Sequence, residues 1–263
     1  MIELDNVTRT YGRKTAVKEL SLSIPAGELF AFLGPNGAGK TTTIKMLTGL
    51  LQPTHGAVRV DGFDVVRSPR EAAHSIGFVP DEPHLYDKLS GREFLQFVAD
   101  LFAMPPAAAA EEIARQIELF DLATFVDHLC ESYSHGMKQR LVFAAALVHR
   151  PRVLILDEPM VGLDPQNTRV VKNRLRELAK AGVTIFMSTH TLSLAEEIAD
   201  RIGVIYGGTL RFLGTVAELR THLARDSHSL EQLFLELTSQ AEENLPLVPT
   251  TATLPPPQSP GES

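Results

Sequence analysis

Gly34-Pro35-Asn36-Gly37-Ala38-Gly39-Lys40-Thr41 constrains this chain more tightly than any other stretch, because it fits G-x-x-x-x-G-K-[ST] without a mismatch. Before it, Leu29-Phe30-Ala31-Phe32-Leu33 is an unbroken apolar run of strand length. After it, Thr41 to Leu50 carries Ile44 and Leu47 at helical spacing and Gly49 near its end. A strand that feeds a helix through a glycine-rich turn can aim backbone N–H groups at one point, at the positive end of the helix dipole. The segment therefore predicts a nucleoside triphosphate site in which the loop residues Gly34 to Gly39 cradle phosphate oxygens and Lys40 reaches the β- and γ-phosphates. Thr41 offers a hydroxyl to Mg²⁺, and Thr42 a second hydroxyl near the same phosphates.

At 263 residues, the chain can bury one substantial core with a smaller appended lobe. Its net charge of −7 argues against a nucleic-acid surface. No stretch approaches the roughly 18 uninterrupted apolar residues of a membrane span, and Leu141 to Val148 is of core length. The start, Met1-Ile2-Glu3-Leu4-Asp5, lacks both a basic opening and an apolar signal core. Any membrane role is therefore expected to come through a partner. The lone cysteine, Cys130, permits no internal disulfide, fits a reducing cytoplasm and reads as structural.

Ile2 and Leu4, then Leu20, Leu22 and Ile24, alternate with polar residues, which predicts antiparallel strands with one solvated face; Val58-Arg59-Val60 extends that sheet. Leu29–Leu33, Val153–Leu156 and Val183–Met187 are nearly continuous apolar runs, as central parallel strands covered on both faces require. The expected fold class is α/β with a mixed sheet and an antiparallel β subdomain. Phe94, Val98 and Leu101 share one helical face, Ile113 and Ile117 another, and Met137 to Val148 forms a third apolar segment. Residues 88–150 thus read as a helical subdomain inserted into the core. Ile202 to Tyr206, Gly207-Gly208 and Leu210 to Leu213 read as a closing hairpin. The expected division is one folded domain over 1–238 and a disordered Pro-, Thr- and Ser-rich tail over 239–263.

The run Val153–Leu156 ends in Asp157-Glu158, which places two acids at the carboxyl edge of the sheet, where ligands of open α/β folds bind. Asp157 is expected to hold Mg²⁺, directly or through water, and Glu158 to polarise the attacking water. A plainer role, capping the turn at Pro159 and Gly162, is open to the same pair. Val183 to Thr189 is another buried strand, and it ends at His190, from which an imidazole can hydrogen-bond the γ-phosphate and orient the water.

Set beside Ser134-His135-Gly136-Met137-Lys138-Gln139-Arg140 and Gly162-Leu163-Asp164-Pro165, these segments make the chain resemble an ATP-binding cassette (ABC) ATPase over residues 2–238. The resemblance implies a P-loop NTPase core, with ATP and Mg²⁺ as cofactors. It implies that Ser134 and Gly136 contact the γ-phosphate held by a second cassette, in a homodimer or a heterodimer. It also implies that Tyr11 stacks on adenine and that Asp164 belongs to the loop communicating between the two sites. The partner would be a transmembrane permease, with the chain cytoplasmic and peripheral on the inner face of the cell membrane. Leu85 and Tyr86, in the loop from Asp81 to Leu89, would face that permease, although packing under the helical subdomain is open to the same pair. The wording Tyr133–Arg140, with Ser229 to Thr238, is similar to the drug, antibiotic and polysaccharide export branch. The spacing of Leu230, Leu233, Phe234 and Leu237 suits a helix docked on its own core.

There are two departures from the family pattern. Asp81 stands where glutamine is usual, keeping an oxygen ligand for Mg²⁺ or water but adding a negative charge, and His135 occupies a usual glycine position. Two other functions remain open at this level: a soluble cassette ATPase acting on ribosomes or DNA, and a nucleotide-regulated binding module with little hydrolysis. The first usually carries paired cassettes or long basic or coiled-coil insertions, which are absent here. A GTPase is disfavoured because no N-K-x-D motif occurs.

Overall fold

Burial alternates along β1 (Ile2–Tyr11) and β2 (Lys14–Ile24), a hairpin whose tip is Gly12-Arg13, whereas β3 (Leu29–Leu33) is buried at every residue. The chain then runs through α1 (Lys40–Leu47), β4 (His55–Val60), β5 (Phe63–Asp64), α2 (Pro69–His74), β6 (Ile76–Val79), α3 (Gly91–Leu101) and α4 (Pro106–Leu119). It continues with α5 (His135–Leu147), β7 (Val153–Asp157), α6 (Pro165–Lys180), β8 (Thr184–Thr189), α7 (Leu192–Ile198), β9 (Arg201–Tyr206), β10 (Thr209–Gly214) and α8 (Val216–Ala224). This is a computed structural model, and it describes residues 1–224. The expected tail over 239–263, the end of the domain assigned to 1–238 and the segment Leu230 to Leu237 lie outside the described residues.

The strands form two sheets. An antiparallel one has the order β2-β1-β4-β5, and a six-stranded one the order β10-β9-β3-β8-β7-β6, parallel except for β10. The continuous apolar runs follow from the pleat, which sends alternate residues to opposite faces. Phe30, Phe32, Ile155 and Phe186 join the antiparallel sheet and α1 in one core. Leu29, Ala31, Leu33, Leu154, Leu156 and Met187 join the helices in the other. The parallel register aligns Asp157 with Ser188 and Leu33 with Thr189, so the ends of β3, β7 and β8 lie side by side at one edge.

β6, α3, α4 and α5 bridge the two expected core strands, and α3 departs from its expected packing. Its inward residues are Gly91, Phe94, Leu95 and Ala99, while Leu101 is 66% exposed. α3 packs on α4 and α5, and its buried stripe takes in Leu95 and Ala99 beside Phe94, leaving Leu101 outside it. The strand β6 is short and was not evident from periodicity. In the middle of α4, fully buried Glu112 accepts hydrogen bonds from Arg115, Gln116 and Arg150, so its charge is paired and α4 is tied to the turn after α5.

Between α3, α5 and β6 lies an apolar groove of about 360 Å³, lined among others by Leu50, Phe78, Phe94, Val98, Phe102 and His149. The His149 ring stacks on Phe102 with centroids 3.6 Å apart, and its Nε2 lies 3.0 Å from the Ile76 carbonyl. A carbonyl partner places the proton on Nε2. Burial pushes the His149 pKa down to about 4. Because the folded-state value lies below the unfolded one of about 6.5, the stability is fully present above pH 6.5 and is lost as pH falls toward 4. The loss approaches about 3 kcal/mol. His149→Gln, which keeps a donor for Ile76, is expected to flatten this acid limb in urea unfolding measured from pH 7 to pH 4. A variant whose stability falls in parallel with the parent would contradict the assignment.

Candidate functional site

At the edge where β3, β7 and β8 end, a cleft of about 420 Å³ is lined by Tyr11, Lys14, Ala16, Pro35, Asn36, Gly37, Gly39, Lys40, Thr41, Thr42, Asp81, Asp157 and Glu158. Its floor is the loop between β3 and α1. Gly39 is the N-cap of α1, with no side-chain cap and no acidic residue in the first turn, so the N–H groups there are left for another acceptor. Gly39 has φ +117°, and a Cβ on it would meet the Ala16 carbonyl at 2.7 Å. Only glycine lets the backbone pass here. Gly34 and Ala38 lie buried beneath the cleft rather than in its wall.

Lys40 is 6% exposed and donates to the Gly34 carbonyl at 2.6 Å; its Nζ is also 3.4 Å from Glu158 Oε1. That oxygen is buried and has no hydrogen-bond donor, because Lys40 approaches at ion-pair distance without the geometry of a hydrogen bond. The other oxygen, Oε2, lies 3.0 Å from His190 Nδ1, which brings the exposed His190 to the rim through Glu158. Glu158 has φ +47°, a region that costs a residue with a Cβ on the order of 1–2 kcal/mol. Its N–H donates to Ser188 Oγ at 3.1 Å, while that hydroxyl donates to Asp157 Oδ1 at 2.6 Å. One serine thus sets the backbone of Glu158 and the carboxylate of Asp157 together. A strained backbone held this way next to an orphaned carboxylate oxygen marks a site built for a ligand.

Asp81, just beyond β6, brings a further carboxylate to the cleft. Burial, then the charges of Asp157 and Glu158, push its pKa up. At the opposite wall, Tyr11 is 46% exposed, and the Arg9 guanidinium lies over its ring, 4.7 Å from the centroid. Arg9 is in turn held by the Gln52 carbonyl at 3.0 Å. One face of the tyrosine is thereby covered.

Ser134 and Gly136 do not line this cleft. Ser134 is the N-cap of α5, accepting from the Met137 N–H at 3.3 Å, and it is exposed. Asp164 caps α6 in the same way through the Asn167 N–H at 2.9 Å, which holds its carboxyl below the usual range. Sequence reasoning missed Lys14, Ala16, Ser188 and Arg9. For Ser188 the available signal was a hydroxyl in register with Asp157 on the neighbouring strand; for Lys14 it was a cation across the hairpin from Tyr11.

A family profile described as "ABC transporter" matches residues 17–161, more than half of the chain. The chain belongs to the ABC transporter family. It is similar to the linearmycin resistance ATP-binding protein LnrL of Bacillus subtilis, 37% identical over 227 residues that cover 86% of this chain and 73% of that protein. Among solved structures, an ATP-binding subunit of an ABC transporter superposes with a TM-score of 0.84 at 29% identity, covering 90% of this chain and 99% of that one. A dimeric ATP-binding cassette in a post-hydrolysis state bound to ADP and Pi superposes with a TM-score of 0.75 at 26% identity, covering 82% and 99%. The chain is thus an ATP-binding, ATP-hydrolysing subunit of this transporter family. No helix among the described residues is long and apolar enough to cross a membrane.

Proposed function

We propose that this chain powers a drug or antibiotic exporter by hydrolysing Mg-ATP at two composite sites formed between two copies. The observation that carries this reading is the division of the machinery. The cleft holds the phosphate loop, Asp157 and Glu158, whereas Ser134 and Gly136 stand outside it on an exposed helix start. An ATP in the cleft would meet those N–H groups and that hydroxyl only from a second copy. The dimeric cassette with ADP and Pi supports the same arrangement.

The donor set suits Mg²⁺. Thr41, Asp157 and Asp81 present hard oxygens at the cleft, where Asp157, Glu158 and Asp81 together bring negative charge that a cation would relieve. When bound, Mg²⁺ neutralises charge on the β- and γ-phosphates. The chain's own residues do the rest. Lys40 and the loop N–H groups orient the phosphates, Glu158 takes the proton of the attacking water, and His190 holds Glu158 in place and can reach the γ-phosphate. Tyr11 stacks on adenine through the face that Arg9 leaves open. Tyr11→Ala is expected to raise the Kd for ATP by about 5- to 150-fold, equivalent to about 1–3 kcal/mol. An unchanged Kd by calorimetry would remove Tyr11 from the site.

The loop from Asp81 to Leu89 is the surface assigned to the permease. Leu85 is half-buried and packs against the core. Tyr86 stays 59% exposed, its ring edge-on to Phe97 at 5.3 Å. A chain tagged in its native membranes should recover a polytopic membrane protein in comparable amount, and Tyr86→Ala should abolish ATP-driven export with ATP binding intact. Recovery of ribosomal or DNA-repair components alone would overturn the transporter reading; unchanged export would remove Tyr86 from the coupling surface. Antibiotic export is favoured because LnrL is named for linearmycin resistance and matches over most of both chains.

A further inference from the structure

His135, where the family commonly has glycine, is turned toward its own chain. Its Nε2 lies 3.3 Å from the Val161 carbonyl. The same ring edge covers Gly162, where a Cβ would sit 2.6 Å from both Cδ2 and Nε2, and Gly162 has φ +75°. One turn further along α5, buried Gln139 donates to the Pro159 carbonyl at 3.3 Å. The start of α5 therefore grips the segment after Glu158 at separate points. That segment is itself braced, since the Val161 N–H donates to the Glu158 carbonyl at 3.1 Å and the Leu163 N–H to the Met160 carbonyl at 3.3 Å. It ends at Asp164, the cap of α6.

We propose that His135 is a positioning residue that clamps the Ser134–Gly136 loop to the Pro159–Asp164 loop, so that contact of Ser134 with a second copy's nucleotide is transmitted to Glu158 in the chain's own cleft. The inference rests on the proposed action of Ser134 and Gly136 on a second copy. A glycine at 135 would leave the Val161 carbonyl without its side-chain donor and the two loops free to shift separately. With the clamp, the two sites of a dimer turn over together, because packed, hydrogen-bonded loops transmit displacement while separate ones absorb it.

The test is steady-state ATP hydrolysis by the full chain across ATP concentration, for the parent, His135→Ala and His135→Gln. The alanine variant is expected to lose about tenfold in kcat with KM changed by no more than about twofold, the pattern of a defect confined to the transition state. Its Hill coefficient should fall from near two toward one, the limit for independent sites. The glutamine variant, whose amide can reach the Val161 carbonyl, should recover both. A double-mutant cycle with Gly162→Ala should be non-additive in kcat. A hyperbolic parent curve, an alanine variant with the parent's steepness, a folded glutamine variant that restores nothing, or additivity with Gly162→Ala would each overturn the clamp. If Glu158→Gln forms no dimer with ATP, the composite-site reading fails as well; if it does, an unaltered Hill coefficient in His135→Ala removes the clamp alone.

Discussion

Lys40→Ala is expected to raise the Kd for ATP by about 30- to 5,000-fold, the equivalent of about 2–5 kcal/mol for removing one partner of a buried charge pair. The ammonium is 6% exposed, at the start of α1 and beside the phosphate loop it already contacts through Gly34. Its removal takes away the chain's own cation beside the phosphates, and it also strips Glu158 Oε1 of its nearest cation. Lys40→Arg should not rescue, because a planar guanidinium cannot take a point-charge position beneath the loop. Calorimetric titration with ATP reads the effect. Affinity within threefold of the parent would place the phosphates elsewhere.

Glu158→Gln is expected to lower kcat by about 10²–10⁴ while leaving ATP affinity nearly unchanged. The amide keeps the shape that the φ of +47° and the Ser188 hydrogen bond impose, but it cannot accept a proton from water. His190→Ala should have the smaller effect, since His190 reaches the site through Glu158 Oε2 at the exposed rim. Single-turnover hydrolysis separates binding from chemistry. Hydrolysis within threefold of the parent in the glutamine variant would exclude Glu158 as the base, and negligible hydrolysis by the parent that is equally insensitive to the substitution would favour a nucleotide-regulated binding module.

Much of this site was legible because its signals are local. The phosphate loop, its strand and its helix are contiguous from Leu29 to Gly49, and Asp157-Glu158 follows its own apolar run. What the sequence hid depends on distant partners. Ser188 gains its role from Asp157 on the adjacent strand, which only the β7–β8 register brings into contact. Leu101 shares helical phase with Phe94, yet the buried stripe of α3 runs through Leu95 and Ala99, and Leu101 is left exposed. Leu85 and Tyr86 are adjacent apolar residues that differ in exposure, Leu85 half-buried against the core and Tyr86 59% exposed with its ring beside Phe94 and Phe97. His135 looked like an irregularity in a loop until Gly162 was placed beneath its ring.

Sedimentation velocity of the Glu158→Gln chain, with and without ATP and Mg²⁺, tests the composite site most directly. Two copies closed around two nucleotides predict a species of twice the 28.8 kDa chain mass with ATP present, reverting to a single chain when ATP is removed. A single-chain species at saturating ATP would contradict self-assembly of the site.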